Sequence, residues 1–317
     1  MAESLDVRHL PVMKDEVVRL LAPRAGAVIV DGTVGLGGHA EAILTTAPEA
    51  TLIGIDLDPD ALAIAGMRLA RFGGRVRLVH GNYRDVAEHL EALRIDAIDG
   101  FLVDLGLSSL QLDRASRGFS FREDGPLDMR MDPTDGRTAA DLVNTVSQVE
   151  LTAILSRYGE ERFALRIARA IVSARAHGPI ATTGALAAIV RDAIPRKFHP
   201  RSIDAATRTF QGLRIAVNRE LENLEAGLDA GFAALRPGGI LAAISFHSLE
   251  DRIVKGFLRH KALSCTCPPD FPVCVCGKRV EVEVLTKRPI VPQPEEVERN
   301  PRGRSAKLRA GRKLAAA

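Results

Sequence analysis

Short apolar runs alternate with amphipathic stripes along the first hundred residues. Val28-Ile29-Val30 is an apolar triplet that stops at Asp31, and Gly32, Gly35, Gly37 and Gly38 follow before an apolar run over 40–44. That order predicts a buried strand, a glycine turn and the start of a helix, with backbone N–H groups facing a ligand. The pattern then repeats. Residues 51–55 (TLIGI) predict a strand ending at Asp56, and 59–71 a helix with Pro59 in its first turn. Residues 76–79 predict a third strand followed by Gly81-Asn82-Tyr83, 85–93 a helix, and 98–103 a fourth strand ending at Asp104. Strands spaced by helical segments indicate βαβ units and a parallel sheet. Ligands on such sheets bind at the carboxyl ends of the strands, where Asp31, Asp56, Tyr83 and Asp104 all fall.

Past about residue 111 the alternation stops. A polar stretch rich in Arg and Asp (RGFSFREDGPLDMRMD) leads into helical patterns over 140–145, 148–158, 162–176 and 183–194, with no strand-like run between them. The expected organisation is an α/β sheet domain, residues 1–110 and 205–317, interrupted by a helical subdomain over 111–204. The sheet domain resumes with one long helix over 205–235, stopped by Arg236-Pro237-Gly238-Gly239. A buried strand is expected over 240–246 and an alternating edge strand over 280–285.

Composition narrows the class. Hydrophobic residues make up 46% of 317 positions, ordinary for a globular protein. No run approaches the roughly 18 consecutive apolar residues of a membrane span, and the first 25 residues lack a continuous apolar segment, so neither a membrane partner nor a signal peptide is expected. A cytoplasmic protein is the expectation. The net charge is only +3, but residues 299–313 carry basic side chains and no acidic ones. Such a tail reads either as a solvated end or as a phosphate-binding arm for nucleic acid. All four cysteines, Cys265, Cys267, Cys274 and Cys276, form C-x-C, six residues, C-x-C among Pro268, Pro269, Pro272 and Gly277. Zinc ribbons more commonly use C-x2-C pairs. A zinc knuckle and a reduced surface loop both remain open, and no metal site is assigned.

Two ligands suit the glycine turn. Gly35-Leu36-Gly37-Gly38-His39-Ala40 fits the dinucleotide pattern G-x-G-x-x-A, with Asp56 about twenty residues on for a ribose. S-adenosylmethionine is favoured by three features. Asp31 sits where it can pair with the methionine ammonium but would oppose a pyrophosphate. Tyr83, in Asn82-Tyr83-Arg84-Asp85, offers an aromatic face for adenine. Asp104-Leu105-Gly106-Leu107-Ser108-Ser109 follows the fourth strand, beside the transferable methyl group. A dehydrogenase would also need a substrate domain with a proton relay, and none is evident.

The runs DGTVGLGGHAEAIL, GIDLDPDA, DLGLSSLQLDRASRGFSFREDGPLDMRMD, RTFQGLRIAVNREL, ISFHSLEDRIVK and NPRGRSAKLR together resemble the bacterial small-subunit ribosomal RNA cytosine-N4 methyltransferases, the RsmH (MraW) family. The resemblance spans nearly the whole chain. It implies a Rossmann-like S-adenosylmethionine-dependent methyltransferase sheet of seven strands with a helical insertion, and 16S rRNA at the decoding region of the small ribosomal subunit as substrate. It also implies cofactor contacts at Gly37, Gly38, His39, Asp56, Tyr83, Asp104 and Gln111. Leu110 stands where the family usually has Pro, and Tyr83 where Phe is common.

An exocyclic cytosine amine is a poor nucleophile because its lone pair is delocalised into the ring. A hydrogen-bond acceptor on N4–H localises that pair. Ser108 and Ser109 are the expected catalytic contacts, with helix capping as their alternative. Phe119 and Phe121, flanked by Arg117 and Arg122, are candidate stacking platforms for the base, with core packing as the alternative. Ser245, His247, Ser248, Glu250 and Asp251 lie too close in sequence for a triad and read as a strand end with a capped helix, S-L-E-D. Two further classes stay open on sequence: a nicotinamide-dependent oxidoreductase, and a ribosome-assembly binder on a methyltransferase scaffold.

Overall fold

A computed structural model describes residues 11–200, 203–268 and 273–315; Pro269 and Pro272 of the cysteine segment lie outside the described residues. The chain divides into two compact units, residues 1–106 with 221–317, and residues 107–220.

In the first unit, α1 (Lys14–Leu21), which the sequence pattern had not indicated, precedes β1 (Val28–Asp31), α2 (Gly38–Thr46), β2 (Thr51–Asp56), α3 (Pro59–Leu69), β3 (Val76–His80), α4 (Val86–Ala92) and β4 (Ile98–Asp104). The local signals act as expected. Asp58 caps α3 by accepting the Asp60 N–H, and Pro59 fills the first helical position, where no N–H is needed. Strands β1 to β4 pair in parallel. Their uninterrupted apolar character has a direct cause. Ile29, Leu52 and Leu102 face one apolar layer, their neighbours Val30, Ile53 and Val103 face the other, and all six are fully buried.

The second unit is helical: α5 (Ser109–Asp113), α6 (Ala139–Thr145), α7 (Gln148–Arg157), α8 (Ala164–Arg175), α9 (Thr183–Ala193) and α10 (Thr207–Asn218). Thr138, Ser147 and Thr182 cap α6, α7 and α9 through their hydroxyls. These helices share one core that includes Leu142, Leu151, Ile167, Val190 and Leu213. The presence of Phe210 and Leu213 in that core puts α10 in the helical unit.

The single long helix expected over 205–235 is instead two. Arg219 adopts the left-handed conformation (φ 52°), ending α10 and starting α11 (Glu220–Ala234). β5 (Leu235–Ser245) follows directly. It takes up Arg236–Gly239 as an irregularity rather than a stop, its register with β4 shifting between Ile98 and Gly100. Then come α12 (Ser248–Lys261), the edge strand β6 (Val282–Val284), α13 (Pro294–Arg299) and β7 (Lys307–Lys313). The sheet order is β3-β2-β1-β4-β5-β7-β6, with β7 antiparallel to both neighbours.

Strand β7 takes the last seven residues of the basic segment, Lys307–Lys313, into the sheet. That part is neither a solvated end nor a free arm, and its cations are engaged within the fold. Arg309 Nε donates to Asp251 Oδ1 at 2.7 Å, Arg312 to Glu283 at 2.7 Å, and Lys313 Nζ to the carbonyls of Phe232, Ala233 and Leu235 around the end of α11. A lysine satisfying terminal helix carbonyls is favoured by the helix dipole.

Helix α11 lies close to the sheet because of two glycines one turn apart. A Cβ on Gly231 would sit 2.3 Å from the Phe101 ring, and one on Gly227 would sit 2.4 Å from the ring of Tyr83. Phe101 is fully buried in β4 and has nowhere to move. Gly231→Ala is therefore expected to destabilise the protein by about 2 kcal/mol from overpacking, although alanine is the better helix former by about 1 kcal/mol. Urea unfolding would check this; unchanged or higher stability would mean the helix shifts freely.

Candidate cofactor and acceptor sites

The carboxyl ends of β1, β2 and β4 and the turn after β3 lie at one edge of the first unit. Gly37, left-handed at φ 80°, is the N-cap of α2, with Gly38 and His39 in the first turn. A Cβ on Gly38 would press within 3.2 Å of Pro11. The glycine turn is tied down by carboxylates. Asp56 Oδ2 accepts the Gly35 N–H at 2.7 Å and its Oδ1 the Asp58 N–H at 2.9 Å. Asp31 Oδ1 accepts the Thr33 N–H at 3.2 Å, and Thr33 Oγ1 accepts the Asp104 N–H at 2.6 Å. Thr33 thus links the end of β1 to the end of β4. Sequence reasoning passed over it because nothing local signals a partner 71 residues away.

Burial sets the electrostatics. Asp31 is 1% exposed, and desolvation raises its pKa to about 7; His39 and the Thr33 N–H oppose the rise, while the charges of Asp104 and Asp56 add to it. Asp56 is pushed up to about 6, again by burial first, against the N–H groups of Asp58 and Gly35. His39 is 5% exposed, and its Nε2 lies 3.5 Å from Asp104 Oδ2. Both ring nitrogens of His39 and Asp104 Oδ1 are buried and make no hydrogen bond among the described residues. Buried polar atoms are nearly always paired, so orphans converging at strand ends mark where a polar ligand belongs. The ligand that suits three crowded carboxylates carries positive charge. S-adenosylmethionine, with its sulfonium and ammonium, fits; a pyrophosphate would face Asp31 and Asp104 and does not.

Tyr83 sits in a short 3-10 turn that follows β3, half-buried, with Gly227 of α11 against its ring. It is within the same edge as Gly37, Gly38, His39, Asp56 and Asp104, each belonging to the first unit.

Ser108, Ser109 and Gln111 belong to the helical unit. Ser108 is the N-cap of α5. Its Oγ accepts the Gln111 N–H at 3.3 Å, and Gln111 Oε1 accepts the Ser108 N–H at 3.1 Å. This reciprocal capping box is the alternative raised for Ser108, and it commits the buried Gln111 amide to the helix start as well. Ser109 is half-exposed on the first turn, and its hydroxyl makes no hydrogen bond among the described residues. Leu110 is buried.

The stacking candidates resolve toward packing. Phe119 is a core residue, and Phe121 meets Phe210 edge-on at 4.5 Å. Arg117 is buried, donating to the carbonyls of Arg130 and Met131. In the first unit, His247 rather than Ser248 caps α12, in a capping box with Glu250, while Asp251 turns to Arg309. No triad forms. Phe246, His247, Ser248, Arg304, Ser305 and Lys307 line a cavity of about 310 Å³ at the carboxyl end of β5.

The sequence profile of the MraW methylase family matches residues 6–314. A protein of Trichlorobacter lovleyi named "Ribosomal RNA small subunit methyltransferase H" is 55% identical over 310 residues, covering 98% of this chain and 99% of its own. Proteins of the same name from Pelobacter propionicus and Heliobacterium modesticaldum are 55% and 52% identical, covering 97% and 96% of this chain and 99% and 98% of their own. A profile match from end to end and relatives more than half identical agree with the motifs and the acidic strand ends: the chain belongs to the MraW methylase family.

Proposed function

We propose that this chain transfers a methyl group from S-adenosylmethionine to the exocyclic N4 of a cytosine in 16S rRNA, at the decoding region of the small ribosomal subunit. The observation that carries the cofactor reading is the desolvated pair Asp31 and Asp56 with Asp104 at the neighbouring strand end, beside the orphaned polar atoms of His39. Support for the acceptor comes from the relatives' shared name for the rRNA, and from the family resemblance for the base and its N4. When bound, S-adenosylmethionine would supply a methyl group activated by its attachment to the sulfonium sulfur. Asp31 is assigned to its ammonium, the turn at Gly37–Gly38 to its backbone-facing side, Asp56 to the ribose and Tyr83 to the adenine. Asp104 and His39 hold the polar groups nearest the end of β4.

Ser109 is the group assigned to accept a hydrogen bond from the cytosine amine. Ser108 supports it by holding the start of α5. The cavity bearing Arg304 and Lys307 suits an RNA phosphate. No helix among the described residues is long and apolar enough to cross a membrane, and the cytoplasm is the compartment assigned, on the name shared by the relatives.

The test is transfer of radiolabel from S-adenosylmethionine to small subunits lacking the modification, followed by digestion to nucleosides. Label is expected on N4-methylcytidine. Asp104→Ala should lower kcat/KM about 100-fold, ~3 kcal/mol of transition-state stabilisation. Label on another nucleoside would sink the N4 assignment. Cofactor binding without transfer to any RNA would favour the assembly-binder reading, and saturable NADH binding would revive the oxidoreductase.

A further inference from the structure

The described residues of the connection from α12 to β6 form neither a core nor a backbone ladder. Among the described residues, 264–280 make no backbone–backbone hydrogen bond. Val273 and Val275 are 68% and 72% exposed. What this segment does have is its four thiols gathered at one point. Cys265 Sγ lies 3.4 Å from Cys274 Sγ and 3.8 Å from Cys276 Sγ, Cys274 and Cys276 are 3.6 Å apart, and all four sulfurs lie within 4.8 Å of one another. Sulfurs at the corners of a tetrahedron around zinc, with Zn–S about 2.3 Å, stand about 3.8 Å apart. Disulfides join sulfurs in pairs; here three are mutual neighbours. Cys274 and Cys276 are exposed and the other two only partly covered, so burial of apolar surface does not explain the gathering.

The surrounding backbone is arranged for negative sulfur. The N–H groups of Cys267, Thr266 and Val275 donate to the sulfurs of Cys265, Cys276 and Cys267 at 3.3, 3.4 and 3.4 Å. Amides aimed at sulfur stabilise thiolate and orient it toward a metal. We propose that Cys265, Cys267, Cys274 and Cys276 bind one structural Zn²⁺ in a four-thiolate site, releasing their thiol protons on binding. A site closed by four protein ligands leaves no position for a substrate, so its role is to hold this connection in shape.

Topology places the site away from the cofactor. β5 and β6 are both antiparallel to β7, and so run the same way. Helix α12 carries the chain from the carboxyl end of β5 back to the amino end, and the cysteine segment joins it to the start of β6. Asp31, Asp56 and Asp104 lie at the carboxyl ends. Losing the metal therefore leaves cofactor binding intact.

The test uses the full chain purified without chelator. Mass spectrometry of the metal content should give one zinc per chain, and Cys274→Ser/Cys276→Ser should abolish it. Exchange into Co²⁺ should give the intense visible bands and the near-ultraviolet charge-transfer band of a tetrahedral thiolate site. The double variant should keep the wild-type circular dichroism and S-adenosylmethionine affinity but be cleaved faster within 264–280 by protease. Wild-type protein with no more zinc than the double variant, four thiols freely reactive in the native state, or an intact mass showing disulfides in place of metal would each overturn the proposal.

Discussion

Asp31→Asn should raise the melting temperature of the cofactor-free protein at pH 8 while weakening S-adenosylmethionine binding about 100-fold. An ordinary aspartate titrates near 3.8; buried at the end of β1, Asp31 titrates at about 7. The folded protein therefore holds a proton there that the unfolded chain has lost. Stability falls as pH rises through the window from 3.8 to about 7, and by pH 8 the full cost of the buried charge is present. Asp56, at about 6, acts in the same direction over a narrower window. The amide removes Asp31's charge yet still accepts the Thr33 N–H, so a gain on the order of 2 kcal/mol is expected. The loss of binding follows from the same charge. A charged hydrogen bond to the cofactor ammonium contributes about 1.5–3 kcal/mol. In the wild-type protein, affinity should rise with pH up to about 7 as Asp31 ionises, with Asp56, Asp104 and His39 as the other groups at the site. Calorimetric melting and titration across pH 5–8 measure both effects. A variant that binds as tightly as wild type, or a wild-type affinity that falls over this range, would remove Asp31 from the cofactor site.

Truncation after Arg299 should leave no folded protein, and Arg309→Ala should lower stability by about 3 kcal/mol. Strand β7 pairs with β5 over Lys307–Arg312 and with β6 at Gly311–Lys313, so deleting it leaves the long strand β5 with a bare edge and removes Leu308 and Ala310, whose fully buried side chains fill the core. The Arg309 side chain is 7% exposed and grips Asp251, 15% exposed, through two nitrogens. Removing one partner of a buried pair strands the other charge, which costs about 3–5 kcal/mol when burial is complete. Burial tends to raise the pKa of Asp251, but the hydrogen bond and charge of Arg309, helped by Lys307, hold it below the ordinary value. Its contribution is thus present at neutral pH and lost only as pH falls through that lowered pKa. Circular dichroism and denaturant melts decide the matter. A truncated chain that still melts cooperatively, with only its salt-dependent RNA affinity weakened, would restore the arm reading.

The strands, their carboxyl-terminal aspartates and the helical insertion were legible because each is written in short-range pattern. An apolar run buried on both faces, a glycine turn and an N-capping Ser, Thr or Asp are local signals with local causes. The fold rule that puts ligands at strand ends pointed to Asp31, Asp56, Tyr83 and Asp104, whereas Gly37, Gly38, His39 and Gln111 were proposed as cofactor contacts only through the family resemblance. Where sequence reasoning went astray, partners distant in the chain had decided the outcome. Lys307 to Lys313 reads as a polar tail until Asp251 and Glu283 are brought to it, and with those partners its cations become strand residues. Arg219 breaks a helix whose period runs smoothly through it, since Phe210 and Leu213 pack into the helical unit while Leu224 and Leu228 pack on the sheet.

Burial also changed the meaning of residues correctly located. Asp31 was visible as a carboxylate at a turn, but its retained proton comes from complete desolvation beside Asp56 and Asp104. Phe119 had the composition of a base-stacking residue, and packing made it core. The sequence by itself determined the alternating strands and helices of residues 28–104, the acidic strand ends and the family motifs, because these depend on neighbours within a turn or a strand. Only the tertiary structure decided which charges are paired, which are dehydrated, and that four cysteines in two short pairs converge on one point, because those depend on groups brought together by folding.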